Sequence, residues 1–143
     1  MVDRFYVRQL APSDASIVRA LLFESNGCFP AIDDVVTALA CAENSMHYGM
    51  FDGEAASLVG HGSLCWYRRA QGGLVGQLED IYILRQFRGM GLASQLLKTI
   101  EREASALGCF KISAESSRIA EEFYRKLGYK HGGASMKKMI KFE

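Results

Sequence analysis

Residues 78–97 read LEDIYILRQFRGMGLASQLL: an apolar run with two adjacent carboxylates breaks into a basic, glycine-rich turn and resumes as an amphipathic segment. The apolar run predicts a strand, and leucines at helical spacing predict a helix that begins near Gly91. Such a turn presents consecutive backbone N–H groups at the positive end of a helix dipole, which suits a phosphate. Gly89 and Gly91 would let that ligand approach the backbone closely. A tight turn that needs glycine only for its dihedral angles is the alternative.

The length and composition are those of an ordinary globular domain. At 143 residues the chain has the length of one domain, which we expect to span residues 1–143. The formal net charge of +1 argues against a nucleic-acid partner, which would favour a strong basic excess. No apolar run reaches membrane-spanning length, and the segment MVDRFYVRQL lacks the apolar core of a signal peptide. We therefore expect a cytoplasmic protein with no membrane partner.

Cysteines and histidines are scattered along the chain. The four cysteines form no C-x-x-C pair and have no histidine at ligand spacing, so we expect free thiols and no metal site. Each of the three histidines is expected to be a surface residue or a hydrogen-bonded structural one rather than a catalyst. The residues concerned are Cys28, Cys41, Cys65, Cys109, His47, His61 and His131.

Hydrophobic periodicity and turn residues predict an α/β (α+β) chain with a central mixed sheet flanked by helices. Asp52 and Gly53 are predicted to form the turn of a hairpin. Strands are predicted at 5–10, 46–51, 56–67, 74–84, 110–114 and 135–140. Helices are predicted after Pro12, at 31–42, from about Gly91 and at 119–127. The helical crossover makes the strand at 110–114 parallel to the one at 74–84, beside an antiparallel meander.

Two separate motifs carry a resemblance to a known superfamily. The turn Arg88-x-x-Gly91-x-Ala93 resembles the CoA-pyrophosphate motif of the GNAT acyltransferases, and FYRKLGY at 123–129 resembles their FY-x-K-x-G-[FY] marker. From about Val59 to Met136, the segments VGHGSL, GLVGQLEDI, GCFKI and FYRKLGY resemble the glucosamine-6-phosphate N-acetyltransferase family. The resemblance implies the GNAT fold, acetyl-CoA as donor with CoA as product, and no metal. It also implies glucosamine 6-phosphate as acceptor, on the route to UDP-N-acetylglucosamine.

The resemblance assigns a donor site. It places the pyrophosphate of CoA on the turn and the thioester beside the preceding strand, where a backbone N–H of Ile83 or its neighbour holds the carbonyl oxygen. The Tyr124 hydroxyl is expected near the sulfur, because a phenol with a pKa of about 10 is protonated and can donate to the departing thiolate. The amine attacks directly, without a covalent enzyme intermediate. The predicted cofactor-binding residues are Ile81, Tyr82, Ile83, Arg88, Gly89, Met90, Gly91, Leu92, Ala93, Ser94 and Tyr124.

The resemblance also assigns carboxylates to the acceptor site. Glu79 and Asp80 lie in the segment that binds the sugar, partly through its backbone, and strand alternation predicts that they point to opposite faces. Glu115 stands where the family commonly has an aspartate that contacts the sugar and positions its amine, so it is the second predicted catalytic residue. Solvated carboxylates or simple ion-pair partners are the alternative. Position alone suggests a sugar contact for Ser25 or Asn26.

Basic residues at two separate places are assigned to the sugar phosphate. Arg68 and Arg69 lie in a predicted turn, and the planar fork of arginine suits phosphate oxygens. Lys137 and Lys138 lie in the predicted last strand, which by resemblance reaches the neighbouring site in a homodimer; alternation lets only one of them face it. The alternatives are a solvated hairpin tip and a charged edge strand that resists aggregation.

Two other functions stay open. One is a GNAT acetyltransferase for a polyamine, an amino acid or an antibiotic, although the basic residues favour an anionic acceptor. The other is a non-catalytic CoA-binding module, which would have no use for a hydroxyl at Tyr124.

Overall fold

A computed structural model of the chain describes residues 3–133 and 135–141. The strands are β1 (Phe5–Gln9), β2 (Ser45–Asp52), β3 (Ser57–Arg68), β4 (Leu74–Ile83) and β5 (Cys109–Ala114). The helices are α1 (Ala15–Asn26), α2 (Ile32–Ala40), α3 (Leu92–Leu107) and α4 (Arg118–Lys126). The strands form one sheet in the order β1-β2-β3-β4-β5, antiparallel except for the parallel pair of β4 and β5. The predicted mixed sheet, its hairpin and its parallel step are confirmed.

Helices cover both faces of the sheet. Successive residues of β3 point to opposite faces. A Cβ added at Gly62 would press on Leu96 and Ile100 of α3, whereas its neighbour His61 lines a cavity together with residues of α1 and α2. The apolar stripe predicted for α3 is buried at Leu92, Leu96, Leu97, Ile100 and Ala104. Strand β3 is therefore enclosed on both sides, which explains its nearly continuous burial from Leu58 to Leu64.

Strands β4 and β5 part halfway along β4. Their pairing ends at Leu78 and Ala114, and the following residues 79–83 of β4 pair with β3 only. A bulge occurs at the same place, because Ser63 pairs with Glu79 while His61 pairs with Tyr82. We call the opening beside residues 79–83, beyond the end of β5, the β4–β5 cleft. It exposes one backbone edge of β4 to any ligand that enters.

The strand predicted at 135–140 is wrong: residues 135–141 form no strand. In a strand Met136 and Ile140 would share one face with Lys138 between them, and Met139 would lie on the other face between polar residues, so neither face is continuously apolar. Met136, Met139 and Ile140 are accordingly 93%, 62% and 84% exposed. Within the described residues the segment is held by side-chain bonds to Glu115 rather than by a backbone ladder.

The four cysteines are free thiols. Among residues 3–133 and 135–141, no cluster of three or more His, Cys, Asp or Glu side chains has the geometry to hold a metal ion. In the same residues no helix combines the length and the apolar character needed to cross a membrane.

Candidate active site

The turn between β4 and α3 forms an open, uncapped helix start. Gly89 and Gly91 have φ angles of 80° and 78°, in the left-handed region that favours glycine. A Cβ at either position would meet no protein atom within 4 Å, so the space above the turn is empty of protein. No side chain caps the first turn of α3, whose leading N–H groups lack intrahelical partners. Gly89 and Gly91 therefore have backbone angles that favour glycine and also leave open space for a ligand. With the unpaired N–H groups of α3 beside them, the turn has the geometry of an anion site.

Arg88 fastens this turn to the end of β4. Its Nε donates to the Ile83 carbonyl at 2.9 Å, and its guanidinium carbon lies 5.3 Å from the centre of the Tyr82 ring. The Leu84 N–H donates to Val59 on β3, so the N–H and C=O of the preceding Ile83 face the opposite edge, toward the β4–β5 cleft. The cleft and the glycine turn are thus continuous.

Tyr124 lies on α4 with its ring half-buried in an aromatic group. The ring centre is 5.2 Å from that of Phe123 and 5.4 Å from that of Tyr129, whose hydroxyl donates to Glu101 of α3 at 2.9 Å. Burial raises the pKa of Tyr124, so its hydroxyl is protonated at neutral pH. Within the described residues this hydroxyl has no hydrogen-bond partner, and no buried side-chain oxygen or nitrogen lacks one. The Tyr124 hydroxyl is therefore open to solvent and able to donate.

Four of the predicted acceptor residues meet at the cleft. Glu115 accepts hydrogen bonds from Ser135 Oγ at 2.9 Å and Lys137 Nζ at 3.2 Å, which lower its pKa. The pKa of Glu79 is raised overall. Burial and the carboxylates of Asp80 and Glu115 raise it, and the Lys137 ammonium opposes them. We call these four charged side chains, Glu79, Asp80, Glu115 and Lys137, the acidic cluster. Lys137 reaches it from the same chain.

Strand β4 is irregular at Glu79 and Asp80, and their orientation to opposite faces stays a prediction. Both side chains are exposed, and Asp80 has a φ of 52°, in the left-handed region. The bulge opposite Gly62 inserts an extra residue into β4, so face assignment by counting fails beyond Glu79.

The remaining basic residues do not join the cluster within one chain. Arg68 pairs with Leu74 at the far end of β4. At a rise of about 3.3 Å per residue, Leu74 lies about 17 Å along the strand from Glu79. The Arg69 guanidinium donates to Gln71 in the same turn, and Lys138 is exposed. Ser25 and Asn26 make local bonds, to the Leu22 carbonyl and from the Cys28 N–H.

Two histidines form a hydrogen-bonded pair that sequence reasoning missed. His47 Nδ1 lies 3.1 Å from His61 Nε2, and His61 Nδ1 lies 2.9 Å from the Asp80 carbonyl oxygen. The expectation of a hydrogen-bonded structural residue is confirmed for His61, which is 4% exposed. The missed signal was the hairpin register, which places His47 opposite Ser63 and so diagonal to His61.

Both histidines line a cavity of about 210 Å³ between α1, α2 and the sheet. Its walls are mostly apolar side chains of the two helices, and its charged lining residues are Asp34 and Asp80. The pKa of His47 is lowered to about 4. Burial is the largest cause, the neighbouring imidazole of His61 acts in the same direction, and the Asp80 carboxylate opposes both. The pKa of His61 is lowered by burial. Both rings are therefore neutral at pH 7.

Known proteins share this architecture. A glucosamine 6-phosphate N-acetyltransferase of Trypanosoma brucei brucei is 34% identical over 59 residues, which cover 41% of this chain and 40% of that protein. An aminoglycoside N(6')-acetyltransferase type 1 of Acinetobacter genomosp. 13 is 26% identical over 102 residues, 69% of this chain and 59% of that protein. The chain thus spans about two-fifths of the length of the first curated relative and about three-fifths of the length of the second.

The crystal structure of glucosamine-6-phosphate N-acetyltransferase from Arabidopsis thaliana matches with a TM-score of 0.83 at 19% identity, over 97% of this chain and 100% of that one. At that identity the likeness shows the fold. The sequence profile of the family described as "Acetyltransferase (GNAT) family" matches residues 17–129, which is most of the chain. The glycine turn and the separation of β4 from β5 agree with this family match. The chain belongs to the GNAT acetyltransferase family.

Proposed function

We propose that the protein transfers the acetyl group of acetyl-CoA to the amine of glucosamine 6-phosphate, giving N-acetylglucosamine 6-phosphate. The observation that carries acetyl transfer is the β4–β5 cleft running into the uncapped start of α3. The space above Gly89 and Gly91 is open where a pyrophosphate would lie, so the residues present fit the cofactor. The similarity to glucosamine 6-phosphate N-acetyltransferases supports this acceptor.

The residues of the chain divide the chemistry between them. Bound acetyl-CoA supplies an activated acetyl group as its thioester. The amides of residues 89–94, with Arg88, bind the pyrophosphate, and Ile81–Ile83 line the pantetheine end. The Ile83 N–H, which faces the cleft, donates to the thioester oxygen as negative charge develops there. As the amine forms the new C–N bond and the C–S bond breaks, the Tyr124 hydroxyl would protonate the departing sulfur, and the proton released by the amine nitrogen would restore the neutral phenol.

The acceptor is bound at the acidic cluster. Glu79, Asp80 and Glu115 contact the sugar, and Glu115 positions its amine. Within one chain Arg68 lies about 17 Å along the sheet from Glu79, and Arg69 lies in the turn beyond it. The proposal therefore includes a homodimer that brings Arg68 or Arg69, together with Lys137 or Lys138, to the phosphate from two copies.

The test measures thiol release from acetyl-CoA with glucosamine 6-phosphate, glucosamine and spermidine. We expect kcat/KM to be highest for the phosphorylated sugar. Replacing Arg68 and Arg69 by alanine should lower it about tenfold to a hundredfold for that acceptor alone, because a charge-assisted phosphate contact is worth roughly 1.5–3 kcal/mol. The double variant Arg102→Ala/Arg118→Ala removes the same charge elsewhere and serves as the control. Equal rates with glucosamine and its 6-phosphate would refute the substrate assignment.

A polycationic amine is the second candidate acceptor. Glu79, Asp80 and Glu115 outnumber the one lysine beside them, and acidic walls suit ammonium groups. The similarity to an aminoglycoside acetyltransferase, which extends over 69% of this chain, also favours it. A higher kcat/KM for an aminoglycoside or spermidine than for the sugar phosphate would select this candidate. Acetyl-CoA binding without thiol release for any amine would instead indicate a non-catalytic module.

A further inference from the structure

The hydrogen bonds of the histidine pair determine both tautomers. A carbonyl oxygen only accepts hydrogen bonds, so His61 Nδ1 carries the proton that it donates to Asp80. The ring is neutral, which leaves His61 Nε2 as a bare acceptor. His47 Nδ1, 3.1 Å away, must then be the donor. In neutral His47 the one remaining nitrogen, Nε2, carries a lone pair and no proton.

His47 Nε2 is also accessible. Within the described residues it has no hydrogen-bond partner. Since no buried side-chain nitrogen or oxygen in that part of the chain is unpartnered, this atom is reachable from solvent. His47 is one of the residues that line the 210 Å³ cavity. An acceptor with a fixed orientation therefore stands at a cavity large enough for part of a small molecule.

The cavity has a definite chemical preference. Asp34 and Asp80 are its charged lining residues, and no lysine or arginine lines it. Apolar side chains such as Val18, Leu22 and Val35 make up most of the rest. Such a lining favours an amine or ammonium group with an apolar flank and disfavours a phosphate, whose charge would meet two carboxylates. The cavity reaches β4 at Asp80, one residue before the segment assigned to the thioester.

We propose that the acceptor bound at the acidic cluster extends its amine past Asp80, which the cluster and this cavity share, and that His47 Nε2 accepts a hydrogen bond from the amine N–H. His61 is a positioning residue, which holds the His47 tautomer and ties it to the bulge in β4. The inference rests on the proposed acetyl transfer, and it is independent of whether the acceptor carries a phosphate. Any phosphate lies outside this cavity, toward the basic residues.

Nitrogen-detected imidazole NMR tests the site without turnover. In the free protein near pH 7 we expect both His47 and His61 to be neutral with the proton on Nδ1. Addition of glucosamine or glucosamine 6-phosphate should shift the His47 Nε2 resonance and leave that of the exposed His131 in place. A proton on His47 Nε2, or no shift with either sugar or with any other amine that the protein acetylates, would overturn the proposal.

Kinetics separate this proposal from the substrate assignment. His47→Phe keeps a ring but removes the acceptor atom, so kcat/KM should fall about tenfold to a hundredfold, mainly through KM of the amine. The factor should be the same for glucosamine and its 6-phosphate, with KM for acetyl-CoA unchanged. His47→Gln, which keeps an acceptor oxygen, should recover part of the loss, and His131→Gln is the control.

The possible outcomes are distinct. If the wild-type protein acetylates another amine instead, the sugar-phosphate assignment fails, and the same comparison is made with that amine. A folded His47→Phe protein that stays within about twofold of wild type for the amine it acetylates would refute the role of His47. If no amine is acetylated, the NMR result with the two sugars decides.

Discussion

At the residue scale, the neutral histidine pair makes stability depend on mild acid. His47 has an ordinary pKa of 6.5 when unfolded and a pKa of about 4 in the folded chain. Between these values the unfolded chain binds a proton that folded His47 excludes. Stability is therefore full above pH 6.5 and falls as pH drops toward 4.

We expect His47→Gln to flatten this dependence. Its free energy of unfolding should change less than that of wild type between about pH 7 and about pH 5, while His131→Gln should follow wild type. Urea unfolding at the two pH values measures the difference. The same slope for His47→Gln and wild type would show that His47 is not the proton-binding group.

A second prediction at this scale concerns Tyr124. Replacement by phenylalanine keeps the contacts with Phe123 and Tyr129 and removes only the hydroxyl. We expect kcat to fall about a hundredfold, the usual range for a general acid, with acetyl-CoA affinity unchanged. Tyr129→Phe, which removes a hydroxyl bound to Glu101 instead, is the matched control for the measurement of kcat and calorimetric affinity. Near-wild-type kcat in Tyr124→Phe would return Tyr124 to a structural role.

At the element scale, the two ends of α3 offer a controlled test of the pyrophosphate site. Gly91 precedes the helix and Gly108 follows it; both have positive φ, 78° and 95°, and open space where a Cβ would stand. Alanine at either position should lower the free energy of unfolding by about 1–2 kcal/mol, the strain of the left-handed region.

Only Gly91→Ala should weaken acetyl-CoA binding, by tenfold or more, because only the N-terminal end presents unpaired N–H groups. Calorimetric titration of both variants, with their unfolding curves, separates ligand loss from strain. Equal acetyl-CoA affinities for Gly91→Ala and Gly108→Ala would contradict the assignment of this turn to the pyrophosphate.

At the scale of the whole molecule, the exposed apolar residues near the C-terminus support the proposed homodimer. Met136, Met139 and Ile140 lie in solvent in the single chain, as does Phe110 on the edge strand β5, which is 58% exposed. We expect sedimentation to show a dimer. A chain ending at Gly133 should be monomeric, bind acetyl-CoA normally and lose turnover of glucosamine 6-phosphate. A monomeric full chain with full activity would contradict this prediction.

Much of the fold was predictable because its signals are local. The apolar period of α3 and the glycine before Leu92 each act over a few residues and lie where predicted. The predicted hairpin also forms, but its turn is residues 53–56, and Asp52 is the last residue of β2. The last strand was not predictable in this way. A strand needs a partner edge as well as a pattern, and residues 135–141 have neither a regular apolar face nor a pairing strand among the described residues.

The sequence by itself determined the order of the elements, the glycine turn at the start of α3 and the family, since these depend on neighbours along the chain. Only the tertiary structure decided which distant side chains meet. A bulge at Asp80 lies just beyond the point where β4 and β5 separate, the hairpin register joins His47 to His61, and Lys137 near the C-terminus reaches Glu115. Such contacts depend on register, and register is set by the packing of the whole sheet between its helices rather than by any short stretch.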